Sequence, residues 1–256
     1  PHLSSGYQVA GRDKKLAGRG YLNYQQCLVV SGGENLRKFC TITFSIVILT
    51  FLYFPGQAFA GNIKGTAKVK GLRTPENILV YLSKAPPNAA DLSKVKFVMD
   101  QRNLEFVPHV LPILIGATVD FPNNDKVDHN VFSMSRTKKF NLGSYTAGES
   151  KSIVFDKPGI VELRCDVHAE MAAYILVMKN PYFAVTDKKG QLEISDSSTL
   201  EQTGLSGLKD LAAGKYFVKS WHEKLKTQKQ AVMVPENGDV TIQLDLTRGT
   251  PGVLYK

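Results

Sequence analysis

Cys165-Asp166-Val167-His168-Ala169-Glu170-Met171 runs from the end of one strand-like segment, 159–165, to the start of another, 173–178. Its pattern is Cys-x2-His-x2-Met, so a single tight turn gathers a thiolate, an imidazole and a thioether. Soft sulfur donors joined by imidazole favour copper, held by two His and one Cys in a trigonal plane with a long axial Met. The second imidazole then has to come from elsewhere in the chain. His129 stands 36 residues upstream, follows Asp120-Phe121-Pro122-Asn123-Asn124-Asp125, and opens the strand-like His129-Asn130-Val131-Phe132. A lone Cys or Met is as readily inert packing. The joint spacing with two histidines selects a metal site formed by His129, Cys165, His168 and Met171.

Outward from this turn the chain reads as short β-branched and aromatic runs divided by Gly, Pro, Asn and Asp, without a sustained 3.6-residue period, which is an all-β signature. Strands are expected at 62–70, 78–82, 95–99, 110–114, 117–121, 130–132, 150–155, 159–165 and 173–178, enough for one β-sandwich. The stretch 85–93, with Pro86-Pro87-Asn88, is expected to be a loop. Lys179-Asn180-Pro181 is a turn signal and marks the expected boundary between a first sandwich, 61–179, and a second, smaller one, 180–256. In the second, strands are expected at 182–186, 191–194, 215–221, 230–234 and 239–246, with Asp187-Lys188-Lys189-Gly190 as a hairpin turn. The polar stretch 195–210 is expected to be a loop. About 70 residues give only a marginal core, so this module is expected to pack against the first.

The ligand distribution, one imidazole far upstream and three ligands in the last loop, resembles the cupredoxins, and amicyanin-type members share the Cys-x2-His-x2-Met spacing. The resemblance covers roughly 64–178. It includes Gly116-x2-Val119-x-Phe121 leading to Asn123, then His129-Asn130, and Pro158-Gly159 ahead of the Cys strand. It implies a Greek-key β-sandwich with one type 1 (blue) copper: His129 as the N-terminal ligand, Cys165 as the thiolate, His168 as the surface-reaching ligand and Met171 as the axial one. It also implies a hydrogen bond from the backbone N–H of Asn130 to the Cys165 sulfur. Two features depart from the pattern. No proline follows His168, and Glu170 directly precedes Met171, so its carboxylate is an alternative weak ligand. The second module, with Tyr182-Phe183-Ala184-Val185-Thr186-Asp187 and Gly214-Lys215-Tyr216, resembles the carboxypeptidase regulatory-like (transthyretin-like) β-sandwich, which implies a non-catalytic role.

The residues 41–54 form an apolar run preceded by Arg37 and Lys38 and followed by Pro55-Gly56-Gln57 and Ala58-Phe59-Ala60. This is the order of a secretory signal peptide over 36–60, cleaved after Ala60. The run falls short of the ~20 residues that span a bilayer. Export to the periplasm is therefore expected, with no membrane span after cleavage. Because such peptides begin a chain, initiation is expected at Leu36, with 1–35 an upstream untranslated segment. Of Cys27, Cys40 and Cys165 only the last then survives, so no intrachain disulfide can form. An unpaired thiol in an oxidising compartment needs a specific use, and metal ligation is one.

The 32 Lys/Arg against 23 Asp/Glu give a net charge of +9 without a basic run or aromatic-basic stripe, which gives no support for a nucleic-acid partner. His109 lacks a Cys or second His at ligand spacing and reads as a structural or surface residue. Met99 and Met134 read as filler. Trp221-His222-Glu223 ends an expected strand, and Trp221 reads as core of the small sandwich. Catalytic triads, phosphate-binding glycine loops and paired carboxylates are not recognisable. The function expected is therefore an electron carrier, not an enzyme, meeting a protein redox donor and acceptor transiently. The alternatives are copper binding and delivery, or a copper redox enzyme with Glu170 as a ligand.

Overall fold

The computed structural model describes residues 61–85, 95–194 and 211–255. The readings made for 1–60, for nearly all of the loop 85–93 and for the loop 195–210 lie outside the described residues. The all-β expectation holds. The strands are Ile63–Lys70 (β1), Leu79–Leu82 (β2), Phe97–Val98 (β3), Asp100–Arg102 (β4), Glu105–Val107 (β5), Val110–Leu114 (β6), Thr118–Pro122 (β7), His129–Met134 (β8) and Lys139–Tyr145 (β9). They continue with Ser150–Val154 (β10), Gly159–Arg164 (β11), Ala172–Met178 (β12), Phe183–Val185 (β13), Gln191–Ile194 (β14), Gly214–Trp221 (β15), Lys229–Val234 (β16) and Val240–Thr247 (β17).

One sandwich consists of the sheet β10-β7-β3 and the sheet β6-β12-β11-β8-β9, with the short hairpin β4-β5 beside them. Period-two burial makes the sandwich: Val119 and Phe121 of β7 and Val161 and Leu163 of β11 are fully buried and belong to one apolar cluster. The other sandwich pairs the sheet β14-β1-β17 with the sheet β13-β2-β15-β16.

That pairing corrects the expected partition at 179. Local sequence places 61–82 with the first sandwich, but β1 runs parallel to β17 from Ile63↔Val240 to Lys70↔Thr247 and antiparallel to β14. Likewise β2 is held between β13 and β15. The second sandwich therefore takes its first two strands from chain that precedes the first one. The physical reason is the apolar stripe of β17, Ile242, Leu244 and Leu246, all buried in one cluster with Ile63 and Ala67 of β1. About 70 residues alone would leave that stripe uncovered on its β1 side.

The two sandwiches share a buried seam. In β2, Ile78 just before it, Val80 and Leu82 join the core of the second sandwich, whereas Leu79 and Tyr81 join the core of the first. Leu-Val-Tyr-Leu is accordingly buried at every position, as a strand covered on both faces must be. Phe183, Trp221 and Leu254 join the first core from the same side. The tail after β17 lies across this seam: the Tyr81 hydroxyl donates to Leu254 O at 2.8 Å, and Lys179 N donates to the Tyr255 hydroxyl at 3.0 Å. Trp221, expected in the core of the small sandwich, is 2 % exposed but belongs to the core of the first.

Candidate metal centre

The loop before β8 and the loop between β11 and β12 meet at one end of the first sandwich. The upstream loop is fixed by the fully buried Asn123, whose side-chain amide donates to Val127 O at 2.9 Å and Tyr145 O at 3.1 Å. Its carbonyl accepts from Asp125 N at 3.0 Å, an Asx-turn that places Asp125 under the first residue of β8. On the other side Met171 N donates to His168 O at 3.1 Å and closes the Cys-to-Met turn. Register does the rest, because the pair Arg164↔Phe132 ties β11 to β8.

The result is a convergence of three metal-ligating side chains, with His129, Cys165 and His168 presenting atoms within 4.8 Å of one another. His129 Nδ1 lies 3.1 Å from His168 Nδ1, and Cys165 Sγ lies 3.9 Å from the same nitrogen. An ion bonded at about 2.0–2.1 Å to nitrogen and about 2.3 Å to sulfur would set such edges at roughly 3.3–3.8 Å, so the trio fits one ion between its members. His129 is fully buried, Cys165 is nearly so, and His168 is part-exposed next to the exposed Val167. The backbone N–H of Asn130 points at the Cys165 sulfur at 3.5 Å. Met171 is 1 % exposed and shares the cluster of Cys165. Glu170 is exposed and stands outside the group of three.

Asp125 is the functional side chain that the spacing alone did not single out. Its Oδ2 accepts from His129 Nε2 at 3.0 Å and from Leu104 N at 2.7 Å, and its Oδ1 accepts from Lys126 N at 2.8 Å. These bonds, the one from Leu104 foremost, hold its carboxyl down at about 2. A carboxylate accepting from Nε2–H leaves the lone pair of His129 on Nδ1, the nitrogen that faces His168 and Cys165. The only signal in the sequence was its place four residues before His129. Behind the site the Tyr145 hydroxyl donates to Phe121 O at 2.9 Å and meets Gln101 Nε2, and burial pushes it up to about 12.

His109 and Trp221-His222-Glu223 lie away from this trio but close to each other. His109 Nε2 donates to Glu223 Oε1 at 3.3 Å, and both line a cleft of about 550 Å³ whose lining also includes Glu170 and the buried Met171. His109 is thus structural, as expected, but it bridges the two sandwiches. No helix among the described residues is long and apolar enough to cross a membrane.

No sequence profile of a known protein family matches the chain. Solved structures similar to parts of it include a purple cupredoxin from Nitrosopumilus maritimus, 24% identical, covering 33% of this chain and 99% of that one with a TM-score of 0.29. Amicyanin from Paracoccus versutus is 20% identical over 40% of this chain and 99% of that one, TM-score 0.31. A copper-containing nitrite reductase from Thermus scotoductus SA-01 is 23% identical over 44% of this chain but only 28% of that one, TM-score 0.33. At these scores none of the likenesses carries weight, and the site is read from its own geometry.

Proposed function

We propose that this chain is a cupredoxin-type electron carrier with one type 1 copper held by His129, Cys165, His168 and, axially, Met171. The observation that carries the reading is the meeting of two imidazole Nδ1 atoms and one thiolate from loops 36 residues apart, with the Asn130 N–H aimed at the sulfur. Two nitrogens and a thiolate suit both valences of copper, and a donated hydrogen bond to the sulfur tunes the couple without occupying a coordination position. Burial of Met171 and exposure of Glu170 favour the thioether over the carboxylate as the weak ligand. His168, part-exposed beside Val167, is the natural point of electron entry and exit toward a transient protein donor and acceptor. The reading includes export to the periplasm and cleavage after Ala60, and it gives the protein no catalytic role of its own.

The test is stoichiometric copper loading followed by visible and electron paramagnetic resonance spectra. The protein should show an intense thiolate-to-copper charge-transfer band that bleaches reversibly on reduction, with copper retained in both states. Cys165→Ser should abolish the band. A Cys165→Ser protein of undiminished colour would defeat the assignment, and loss of copper at each reduction would instead mark a delivery protein.

A further inference from the structure

Met171 lies at a junction. After it β12 begins, and Ala172 pairs with Arg164 of β11, but pairing to β6 starts only at Tyr174↔Val110. What fixes the open side of this first turn of strand is the bond from Tyr174 N to His109 O at 2.9 Å. The ring of His109 stands edge-on to that of Tyr174, with centroids 5.7 Å apart, and its Nε2 donates to Glu223 Oε1. The Tyr174 ring also meets Trp221 edge-on, with centroids 5.2 Å apart. Trp221 ends β15 of the second sandwich, and Glu223 follows it by two residues. The strand that leaves the metal loop is therefore gripped through Tyr174 and His109 by two residues of the other module.

Stability alone is a poor reason for this grip. The Glu223 side chain is only 13 % exposed; its Oε1 meets His109 Nε2 at 3.3 Å and Lys224 Nζ at 3.7 Å, its Oε2 lies 3.3 Å from His222 Nδ1 without a hydrogen bond, and the buried Trp221 Nε1 donates to none. A buried ionic group of this kind can often be replaced by apolar residues of the same volume without loss of stability, so joining the sandwiches does not by itself call for one. Directional groups are needed only if the orientation of His109 and Tyr174 matters. Met171 stands three residues ahead of Tyr174 and is among the residues lining the cleft that His109, Tyr174 and Glu223 also line.

We infer that the second sandwich sets the geometry of the weak axial bond at the metal centre, with Glu223 and Trp221 as positioning residues that act on Met171 through His109 and Tyr174. The inference rests on the copper reading above. Supporting groups of this kind orient ligands and tune the metal. The axial thioether is the ligand most responsive to them, being long and weak.

The experiment uses the full copper-loaded chain and compares Glu223→Gln and Trp221→Leu with Phe183→Leu, which loosens the seam from β13, a strand separated from β15 by β2. Glu223→Gln and Trp221→Leu should each alter the Cu(II) electron paramagnetic resonance spectrum. Each should also change the ratio of Cu(I) to Cu(II) affinity about threefold or more, roughly 28 mV in midpoint at about 59 mV per tenfold for one electron. Phe183→Leu should lower Tm but leave spectrum and midpoint unchanged. In a Met171→Leu background the Glu223→Gln shift should vanish, because the route through the axial ligand is gone; a shift that persists there is plain electrostatics and overturns the inference. Folded, copper-loaded Glu223→Gln protein with the wild-type spectrum and midpoint also overturns it, without touching the copper reading. A wild-type protein lacking the charge-transfer band would instead defeat the reading on which it rests.

Discussion

His129 can offer Nδ1 to a metal because Asp125 accepts from its Nε2–H, and Asp125 can do so because Leu104 N, from the turn between β4 and β5, fixes the same oxygen. Asn keeps the volume of Asp125 but has one carbonyl acceptor for three donors and no charge. Asp125→Asn is therefore expected to weaken copper binding about tenfold, at the low end of the 10–100-fold cost of losing such a partner, as measured by competition with a chelator. Unchanged affinity would mean that His129 is oriented by its packing alone. At this scale the convergence of His129, Cys165 and His168 was legible because Cys-x2-His-x2-Met is contiguous and His129 opens a strand. Asp125 was not, since its role exists only once Leu104, 21 residues earlier, has folded against it.

Among the elements, the strands that sequence reading found are those whose buried residues alternate or run together, such as Val110–Leu114, observed at the expected bounds. It missed β9, Lys-Phe-Asn-Leu-Gly-Ser-Tyr, because Asn141 and Gly143 look like turn residues and most of the strand is exposed. It missed β4 and β5 because Asn103 and Leu104 both take positive φ without the Asn-Gly or Asp-Gly pair that usually signals such a hairpin. The turn Asp187 to Gly190 was legible, with Gly190 N donating to Asp187 O at 2.9 Å, although the strands it joins, β13 and β14, lie in different sheets. Gly190 has φ +77° and lies so close to Ala67 O that an added Cβ would stand 2.3 Å from it. Two costs then add for Gly190→Ala: about 1–2 kcal/mol for the left-handed backbone and the displacement of β1 from its bond at Gly190 O. A fall in stability of about 2 kcal/mol or more is expected in urea unfolding. A variant within about 0.5 kcal/mol of wild type would show that the contact between this turn and β1 is slack.

For the whole molecule, the partition of strands was beyond local reading because the ladder between β1 and β17 joins residues some 177 positions apart, and no periodicity encodes a partner at that distance. The shared seam that results also carries a pH dependence. Burial lowers the pKa of His222 below its ordinary 6.5, while the neighbouring Glu223 carboxylate works in the opposite direction. A folded-state pKa below the unfolded one means that between these values the unfolded chain takes up the proton and the folded chain does not. Stability from this group is therefore full above about pH 6.5 and declines as pH falls. Glu223 adds a second loss at lower pH. Burial would raise its carboxyl, but the bond from His109 and the nearness of His222 hold it below 4.5, so its contribution fades as pH drops beneath that value. His222→Asn keeps an acceptor for Lys224 N, which now bonds to Nδ1 at 3.0 Å, and removes the titration. In copper-free Cys165→Ser protein, where metal binding no longer competes, Tm should fall more steeply from pH 7 to pH 5 with His222 than with Asn. Below about pH 4.5 both proteins should lose further stability through Glu223, the Asn variant less, because the nearness of His222 is part of what holds that carboxyl down. Curves of equal slope from pH 7 to 5 would mean that His222 accepts its proton in place, with the seam wet enough to solvate the charge.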